Sequence, residues 1–321
     1  MLHALALTGP TASGKTALSL LIAEKFDCEI ISSDSMQIYK EMDIGTAKAT
    51  AEEVARVRHH LIDFLSPSLT YSAESYRDDA LTAAKDIISR GKKPLFVGGT
   101  GLYIDTLMRS RPEASPPSDA AVRERILRGV ETEEDRIRLF ERLKTVDPES
   151  AEKTHYNNLR RVVRALEIYE ITGIPKSEID RTSREGDADI DIGMITLDFH
   201  NRELLYDRVD RRVDAMIEEG LLEEVGSLYE RGLLAEGTTA SSAIGYKEII
   251  EYLEKRCTFD ESIEAIKLAT RRYAKRQLTW FRHVRGAKRL FVDGEDGRIK
   301  NINALSEEAV GMAEEIMGAW K

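Results

Sequence analysis

Residues 9–16 read GPTASGKT, so Gly9, Gly14, Lys15 and Thr16 satisfy the pattern G-x-x-x-x-G-K-[ST]. That spacing builds a loop whose backbone N–H groups converge at a helix N-terminus, a concave site for anionic oxygens. Lys15 adds a point charge, Thr11, Ala12 and Ser13 complete the cradle, and the Thr16 hydroxyl is of the type that holds Mg²⁺. Binding of a phosphate or diphosphate is the chemistry expected. Alone, the loop points to ATP and to a nucleotide triphosphatase or small-molecule kinase.

Two further segments bear on that reading. SSDSMQIYKEMDIGTAK (32–48) follows an apolar run and offers Asp34, which could be a magnesium ligand, a base that accepts a proton, or a helix N-cap. VGGTGLY (97–103) follows another; Gly98, Gly99 and Gly101 permit close backbone approach, and Thr100 carries a hydroxyl. A tight strand-to-helix turn would account for the same glycines.

Such a site needs strands whose ends meet. LHALAL (2–7), CEIIS (28–32), KPLFVGG (93–99) and MITLDF (194–199) are short apolar runs, each followed by a helical pattern. Strands alternating with helices predict an α/β fold with a doubly wound parallel sheet, ligands gathering at the carboxyl ends of the strands. SRPEASPPSDAA (110–121) is rich in turn residues, the chain to about Ile179 is charged and helical, and DRTSREGDADIDIG (180–193) reads as a polar return. The expected organisation is a catalytic core of 1–112 and 191–321 with a helical insertion domain at 113–190.

The chain has 321 residues, 42% of them apolar, and no run near the ~18 apolar residues of a membrane span. A strand starting at Leu2 leaves no room for a leader, so a cytoplasmic protein without a membrane partner is expected. Cys28 and Cys257 have no metal-ligand spacing. A net charge of −10 argues against a nucleic-acid partner until its distribution is read. From Ala265 to Val292 there is no acid, while Lys267, Arg271, Arg272, Lys275, Arg276, Arg282, Arg285, Lys288 and Arg289 alternate with Tyr273, Trp280 and Phe281. An RNA-backbone face would have that composition; a basic amphipathic helix with its aromatics in the core would share the aromatics.

GPTASGKT, DSMQIYK, DIGTAK, HHLID, VGGTGLY, RRVVRALE, AIGYKE and RRYAKRQLTWFR, in this order from residue 9 to 282, resemble the tRNA dimethylallyltransferase (tRNA isopentenyltransferase) family. Ala49 and Tyr156 stand where that family often has proline, both outside the presumed chemistry. The resemblance implies a P-loop kinase-like core, and transfer of a dimethylallyl group from dimethylallyl diphosphate to N6 of the adenosine 3′ of the anticodon. The loop would then bind a leaving group, with Mg²⁺ at Thr16 as cofactor, and the bond broken would be carbon–oxygen.

By the same resemblance Asp34 is the base that accepts the amine proton, Thr100 orients the amine and Arg212 clamps the diphosphate. Read from its own sequence, Arg212 would lie on a solvated helix face. The implied tRNA contacts are Asp34, Ser35, Met36, Gln37 and Thr100 beside the base, Arg123, Arg160, Arg161 and Arg164 in the insertion, and Gly245, Tyr246, Lys247, Lys275, Arg276 and Gln277 toward the carboxyl end. Arg160 and Arg164, at i and i+4, share a helix face. The partner expected is the anticodon stem-loop, bound by a monomer; a metabolite kinase and an RNA-binding module without transferase activity are the alternatives.

Overall fold

In the computed structural model, which describes residues 2–110, 118–185 and 188–320, the apolar run Leu2–Thr8 forms β1 and the loop delivers the chain into α1, Lys15–Phe26. There follow β2 (Cys28–Ser32), α2 (Ala51–Arg56), β3 (His59–His60), α3 (Ala73–Ser89), β4 (Lys93–Gly98) and α4 (Gly101–Leu107). Helices α5 (Ala120–Leu127), α6 (Glu133–Val146), α7 (Pro148–Glu152), α8 (Leu159–Thr172) and α9 (Lys176–Glu185) come next. The chain ends with β5 (Ile190–Asp198), α10 (Arg202–Glu218), α11 (Leu221–Glu230), α12 (Tyr246–Leu253), α13 (Phe259–Arg282), β6 (Lys288–Phe291) and α14 (Ile302–Gly318). Two units are formed, Met1–Met108 with Ile190–Lys321, and Arg109–Asp189.

The larger unit is built on a six-stranded sheet in the order β3-β2-β4-β1-β5-β6, every pair parallel. Alternation along the strands sends Leu5, Leu7, Ile30, Leu95, Ile195 and Leu197 to a core shared with α1 and α14. Ala4, Ala6, Ile31, Phe96 and Met194 point the other way, to α3 and α4. Both faces are covered, so the sheet is doubly wound, and its strand ends open on one edge. A third core joins Ile38, Tyr39 and Met42 to α10, α11, α12 and α13.

The strands depart from the sequence reading in three places. β3 has two residues and β6, KRLF, begins with two cations, so neither carries an apolar run of readable length. β5 starts at Ile190, within the stretch expected to be a polar return; Asp191 is exposed while Ile190 and Met194 are buried, and the strand pairs with β1 from Leu2 onward. Residues 180–185 of that stretch continue α9. No helix follows β2 directly: residues 33–50 are turns, with a bridge from Tyr39 to Leu65. The expected insertion boundary at 112/113, most of the turn-rich stretch around it and residues 186–187 lie outside the described residues.

The smaller unit packs Val122, Ile126, Leu139, Leu143, Val162, Val163 and Leu166 from α5, α6 and α8 around its own core. Glu167 is buried among them at 0% exposure. No helix among the described residues is long and apolar enough to cross a membrane.

Candidate active site

The loop between β1 and α1 has the shape its glycines require. Gly9 stands at φ 144°, where a Cβ would lie 2.9 Å from Leu197 Cβ, and Gly14 at φ 94° leads into α1 without a capping side chain. The first-turn N–H groups of α1 are therefore left for a ligand. Lys15 Nζ folds back to donate to the carbonyls of Gly9 (3.1 Å) and Pro10 (2.7 Å). Ser13 Oγ is buried and has no protein partner.

Three strand ends meet here because glycine lets two of them approach. A Cβ on Gly98 would stand 2.2 Å from the Ser33 carbonyl oxygen, so only glycine allows the end of β4 to reach the chain leaving β2. Beyond the ladder, Ser33 N donates to Val97 O (2.7 Å), Thr100 N to Ser33 O (3.1 Å) and Ser35 N to Thr100 Oγ1 (3.0 Å). Asp34 lies inside this knot. Its Oδ1 accepts the Met36 N–H at 2.9 Å, which closes a turn and makes it no helix cap.

Two long helices complete the site. From α10, Arg208 Nε donates to Ala12 O at 2.7 Å. From α13, Gln277 Oε1 accepts the Thr11 N–H (2.8 Å) while its Nε2 donates to Gly99 O (2.9 Å), fastening the loop to the end of β4. Ion pairs between Asp210 and Arg271 (2.7 Å) and between Asp214 and Lys267 (2.7 Å) set the two helices antiparallel in one register. Both thus run away from the loop together, α10 from Arg208 to Met216 and α13 from Gln277 to Ile266.

A cavity of about 790 Å³ lies between them. Thr11 to Ala17, Asp34, Arg208, Arg211, Arg212 and Gln277 line its loop end; Val213, Met216, Leu221, Ala243, Ile244 and Ile266 line the other. Eight residues separate Arg208 from Met216, about 12 Å along a helix axis. The cavity is cationic where the loop is and apolar one ligand length away.

The charges inside it sense one another. Burial, and then the Arg212 charge, push the Lys15 ammonium down to about 7, with Asp34 opposing. Burial also lowers the Arg212 and Arg208 guanidinium groups, and Asp34 favours the charged form of Arg212. The Tyr273 phenol is raised by burial and then by the Asp34 charge. Lys15, Arg208, Arg211, Arg212 and Arg276 outnumber the carboxylates of the cavity lining, Asp34 and Glu53, so the site is short of negative charge.

The sequence-predicted residues are distributed unevenly. Gly14, Lys15, Thr16, Thr11, Ala12, Ser13, Asp34, Ser35, Met36, Gln37, Arg212, Gly245, Arg276 and Gln277 line the cavity; Thr100 stands beside it through Ser35, and Lys275 and Lys247 are exposed. Several are already engaged inside the protein. Gln277 is 5% exposed and joins two backbone segments; Tyr246 is fully buried, its hydroxyl on Glu224; Gln37 donates to Thr46 O and Ala47 O. In the smaller unit, Arg164 Nη1 (2.8 Å) and Arg123 Nε (3.0 Å) both reach the buried Glu167. Burial pushes that carboxyl up, but Arg164, the Asp119 N–H and Arg123 outweigh it and the net shift is down. Arg160 and Arg161 are the exposed members of that cluster.

The acid-free stretch is likewise less basic in space than in sequence. Lys267 and Arg271 pair with α10, Arg282 holds the buried Asp198 at 2.6 Å, and Lys288 pairs with Glu315. Phe281 is core and Trp280 packs on Gly101. Within this stretch, Arg272, Lys275, Arg276, Arg285 and Arg289 are exposed cations with no carboxylate partner among the described residues; Arg276 stacks over Tyr273 at 5.6 Å. Arg208 and Arg211 were missed by the sequence reading, although Arg208 and Arg212 at i and i+4 share a face.

Against known proteins, residues 37–284 match the family model described as IPP transferase. A tRNA dimethylallyltransferase of Shouchella clausii is 49% identical over 280 residues, 87% of this chain and 88% of that one. One from Caldanaerobacter subterraneus is 46% identical over 288 residues, 89% and 91% of the two chains. Among solved structures, the full-length tRNA isopentenylpyrophosphate transferase of Bacillus halodurans superposes with a TM-score of 0.70 at 39% identity, covering 99% of both chains. A eukaryotic dimethylallyltransferase described as acting on tRNA reaches 0.83 at 29% identity, over 99% of this chain and 80% of that one. The chain belongs to the IPP transferase family.

Proposed function

We propose that this member of the IPP transferase family is a tRNA dimethylallyltransferase, moving the dimethylallyl group of dimethylallyl diphosphate to N6 of the adenosine immediately 3′ of the anticodon. The observation that carries the reading is the graded cavity, cationic at the loop and apolar about two helical turns away, with Asp34 on its wall. An allylic diphosphate has the same polarity along its length.

In the reaction the C1–O bond of the allylic diphosphate breaks, its electron pair leaves with diphosphate, and the N6–C1 bond forms. Negative charge grows on the departing oxygen, so the groups that matter most are those aimed there: the N–H groups of the loop, Lys15, Arg208 and Arg212. The exocyclic amine is a weak nucleophile while its lone pair is shared with the purine. Asp34 takes its proton as the bond forms, and Thr100, tied to Ser35, orients it. The adenosine reaches this depth by leaving its stack in the anticodon loop. Ser35 and Met36 on the rim, Arg276 and Lys275 on α13, Lys247, and Arg160 and Arg161 of the smaller unit are the side chains offered to the RNA, with phosphate contacts supplying affinity.

Magnesium fits the donors present. Thr16 offers a hydroxyl at the first turn of α1, and Ser13 Oγ is buried without a partner. Among the described residues no cluster of three His, Cys, Asp or Glu is placed to hold a metal, so the protein would give one or two oxygens and the diphosphate and water the rest. A bound Mg²⁺ would neutralise leaving-group charge.

The test is transfer of label from dimethylallyl diphosphate to an anticodon stem-loop carrying the adenosine. Asp34→Asn is expected to lower kcat by about 10²–10⁴-fold, with dimethylallyl S-thiolodiphosphate still bound. No transfer by the unaltered protein, or phosphate transfer from ATP in its place, would overturn the proposal.

A further inference from the structure

The motifs DIGTAK (43–48) and AIGYKE (243–248) meet at one carboxylate. Glu224, on α11, accepts the consecutive backbone N–H groups of Asp43 (2.8 Å), Ile44 (2.7 Å) and Gly45 (3.1 Å). The Tyr246 hydroxyl donates to its Oε1 at 2.5 Å. The Tyr246 ring is fully buried where a side chain at position 45 would stand: a Cβ on Gly45 would meet its Cε2 at 2.5 Å. Burial, and then the Glu224 charge, push the phenol up, so at neutral pH it stays a donor.

The segment held in this way is a wall of the cavity, through Gly45, Thr46 and Ala47. It reaches by hydrogen bonds to Gln37 and Ser32, which flank Asp34 in the chain. Gln37 Nε2 donates to Thr46 O (3.3 Å) and Ala47 O (3.1 Å), and Gln37 Oε1 accepts from Ser32 Oγ (3.2 Å). Lys48 Nζ, nearly buried, pairs with Asp43 at the other end of the segment and ties it to Tyr39 O (2.8 Å) and Asp63 Oδ1 (2.7 Å). None of these bonds involves the loop of residues 9–16. The chain of contacts from α11 to the turn that carries Asp34 is therefore separate from the one that shapes the diphosphate cradle.

We propose that Glu224 and Tyr246 are positioning residues for proton acceptance: they clamp residues 43–48, and through Gln37 this fixes Asp34 against the amine. The inference rests on the reading of Asp34 as the base. It gives the buried Tyr246 of AIGYKE a task inside the protein, apart from any contact that exposed Lys247 makes with RNA.

The test compares Glu224→Gln and Tyr246→Phe in the full-length protein. Glu224→Gln is expected to lower kcat at least tenfold while the Kd for dimethylallyl S-thiolodiphosphate stays within twofold, and amide exchange at 43–45 quickens at least tenfold. Tyr246→Phe, which keeps the ring, should move both readouts the same way by a smaller factor. In an Asp34→Asn background, Glu224→Gln should change the residual rate less than twofold, because its effect passes through the missing carboxylate. Any of three results overturns the proposal: kcat within twofold of the unaltered protein, a parallel loss of diphosphate affinity, or the full effect persisting without Asp34. Amide exchange is read without turnover. Absence of transfer by the unaltered protein would therefore count against the reaction, and unchanged exchange in Glu224→Gln would count against the clamp.

Discussion

Lys15 is where the electrostatics of the site and the charge of the ligand meet, and the exchange of protons should be measurable. Its ammonium is held at about 7 against an ordinary 10.5, first by burial and then by Arg212. At 1.36 kcal/mol per unit of pKa, that is roughly 5 kcal/mol disfavouring the charged form before ligand arrives. A diphosphate in the loop reverses the balance, since it places several negative charges beside the same nitrogen, and Lys15 then stays charged well above neutrality.

The sign follows directly. At pH 6 the free site already carries about nine-tenths of the proton, so binding takes up little; at pH 8 it carries about one-tenth, and binding should draw in about 0.9 of a proton. Affinity for an allylic diphosphate should accordingly fall as pH rises above 7, approaching tenfold per pH unit. Titration calorimetry of dimethylallyl S-thiolodiphosphate, in buffers of differing ionisation enthalpy at pH 6 and pH 8, reads the uptake. Lys15→Arg keeps a charge at every pH in the range and should abolish the step, leaving only the ligand's own protons. Uptake below about 0.3 at pH 8, or uptake unchanged in Lys15→Arg, would refute the account of Lys15.

Three other outcomes are expected. Gln277→Leu leaves the Thr11 N–H and Gly99 carbonyl without their partner, so it should lower stability by about 1–3 kcal/mol per buried group in urea unfolding; weakened diphosphate binding, rather than weakened tRNA binding alone, would mark it as a brace of the loop. Replacing Arg160 and Arg161 together by alanine should reduce tRNA affinity and the slope of its salt dependence by about 0.7 for each phosphate no longer neutralised, and an unchanged slope in filter binding would remove them from the interface; Arg164→Ala, with buried Glu167 behind it, should instead lower the melting temperature. Glu29 is held near 2 by Arg90 and then His60, against an ordinary 4.5, so it contributes stability above pH 4.5 that is lost as pH falls through its folded value. The loss between pH 6 and pH 3 should be about 2 kcal/mol of a total near 3, read by urea unfolding, and Glu29→Gln should flatten it.

The parts of the site that could be read in the sequence are those whose demands are local. A loop of G-x-x-x-x-G-K-T can be recognised because each glycine answers a backbone requirement within eight residues, and Gly98 and Gly99 mark a strand end for the same reason. Asp34 could be placed at the edge of the sheet but not given one role, since a cap, a metal ligand and a base all begin with a carboxylate after a strand. β3 and β6 escaped because two residues, or four beginning with two cations, carry no period. Arg208, Glu224 and the bracing task of Gln277, which the resemblance implied only as a tRNA contact, escaped for a different reason. Each acts on backbone between 178 and 266 residues away, or in the case of Glu224 about 180, and no local pattern encodes such a partner.

The acid-free stretch shows what a charge pattern can and cannot carry. Its missing acids are supplied in space by Asp198 of β5, Asp210 and Asp214 of α10 and Glu315 of α14, so much of the apparent positive charge is neutralised within the fold. The pairs with α10 do more than neutralise. They lock the register in which Arg208 and Gln277 share the loop end of the cavity while Met216 and Ile266 share the apolar end. Slip that register by one turn and a cation would face the prenyl chain, or a methionine the diphosphate. Two of the cations withdrawn from the surface, Lys267 and Arg271, are therefore the ones that set the register of the cavity. Those left exposed are Arg272, Lys275 and Arg276 toward the carboxyl end of the same helix and Arg285 and Arg289 beyond it, and Arg276 also lines the cavity. In the proposed reaction one helix would align the allylic diphosphate on one side and offer charge to the tRNA on another, so that a single element would bring the two substrates to Asp34.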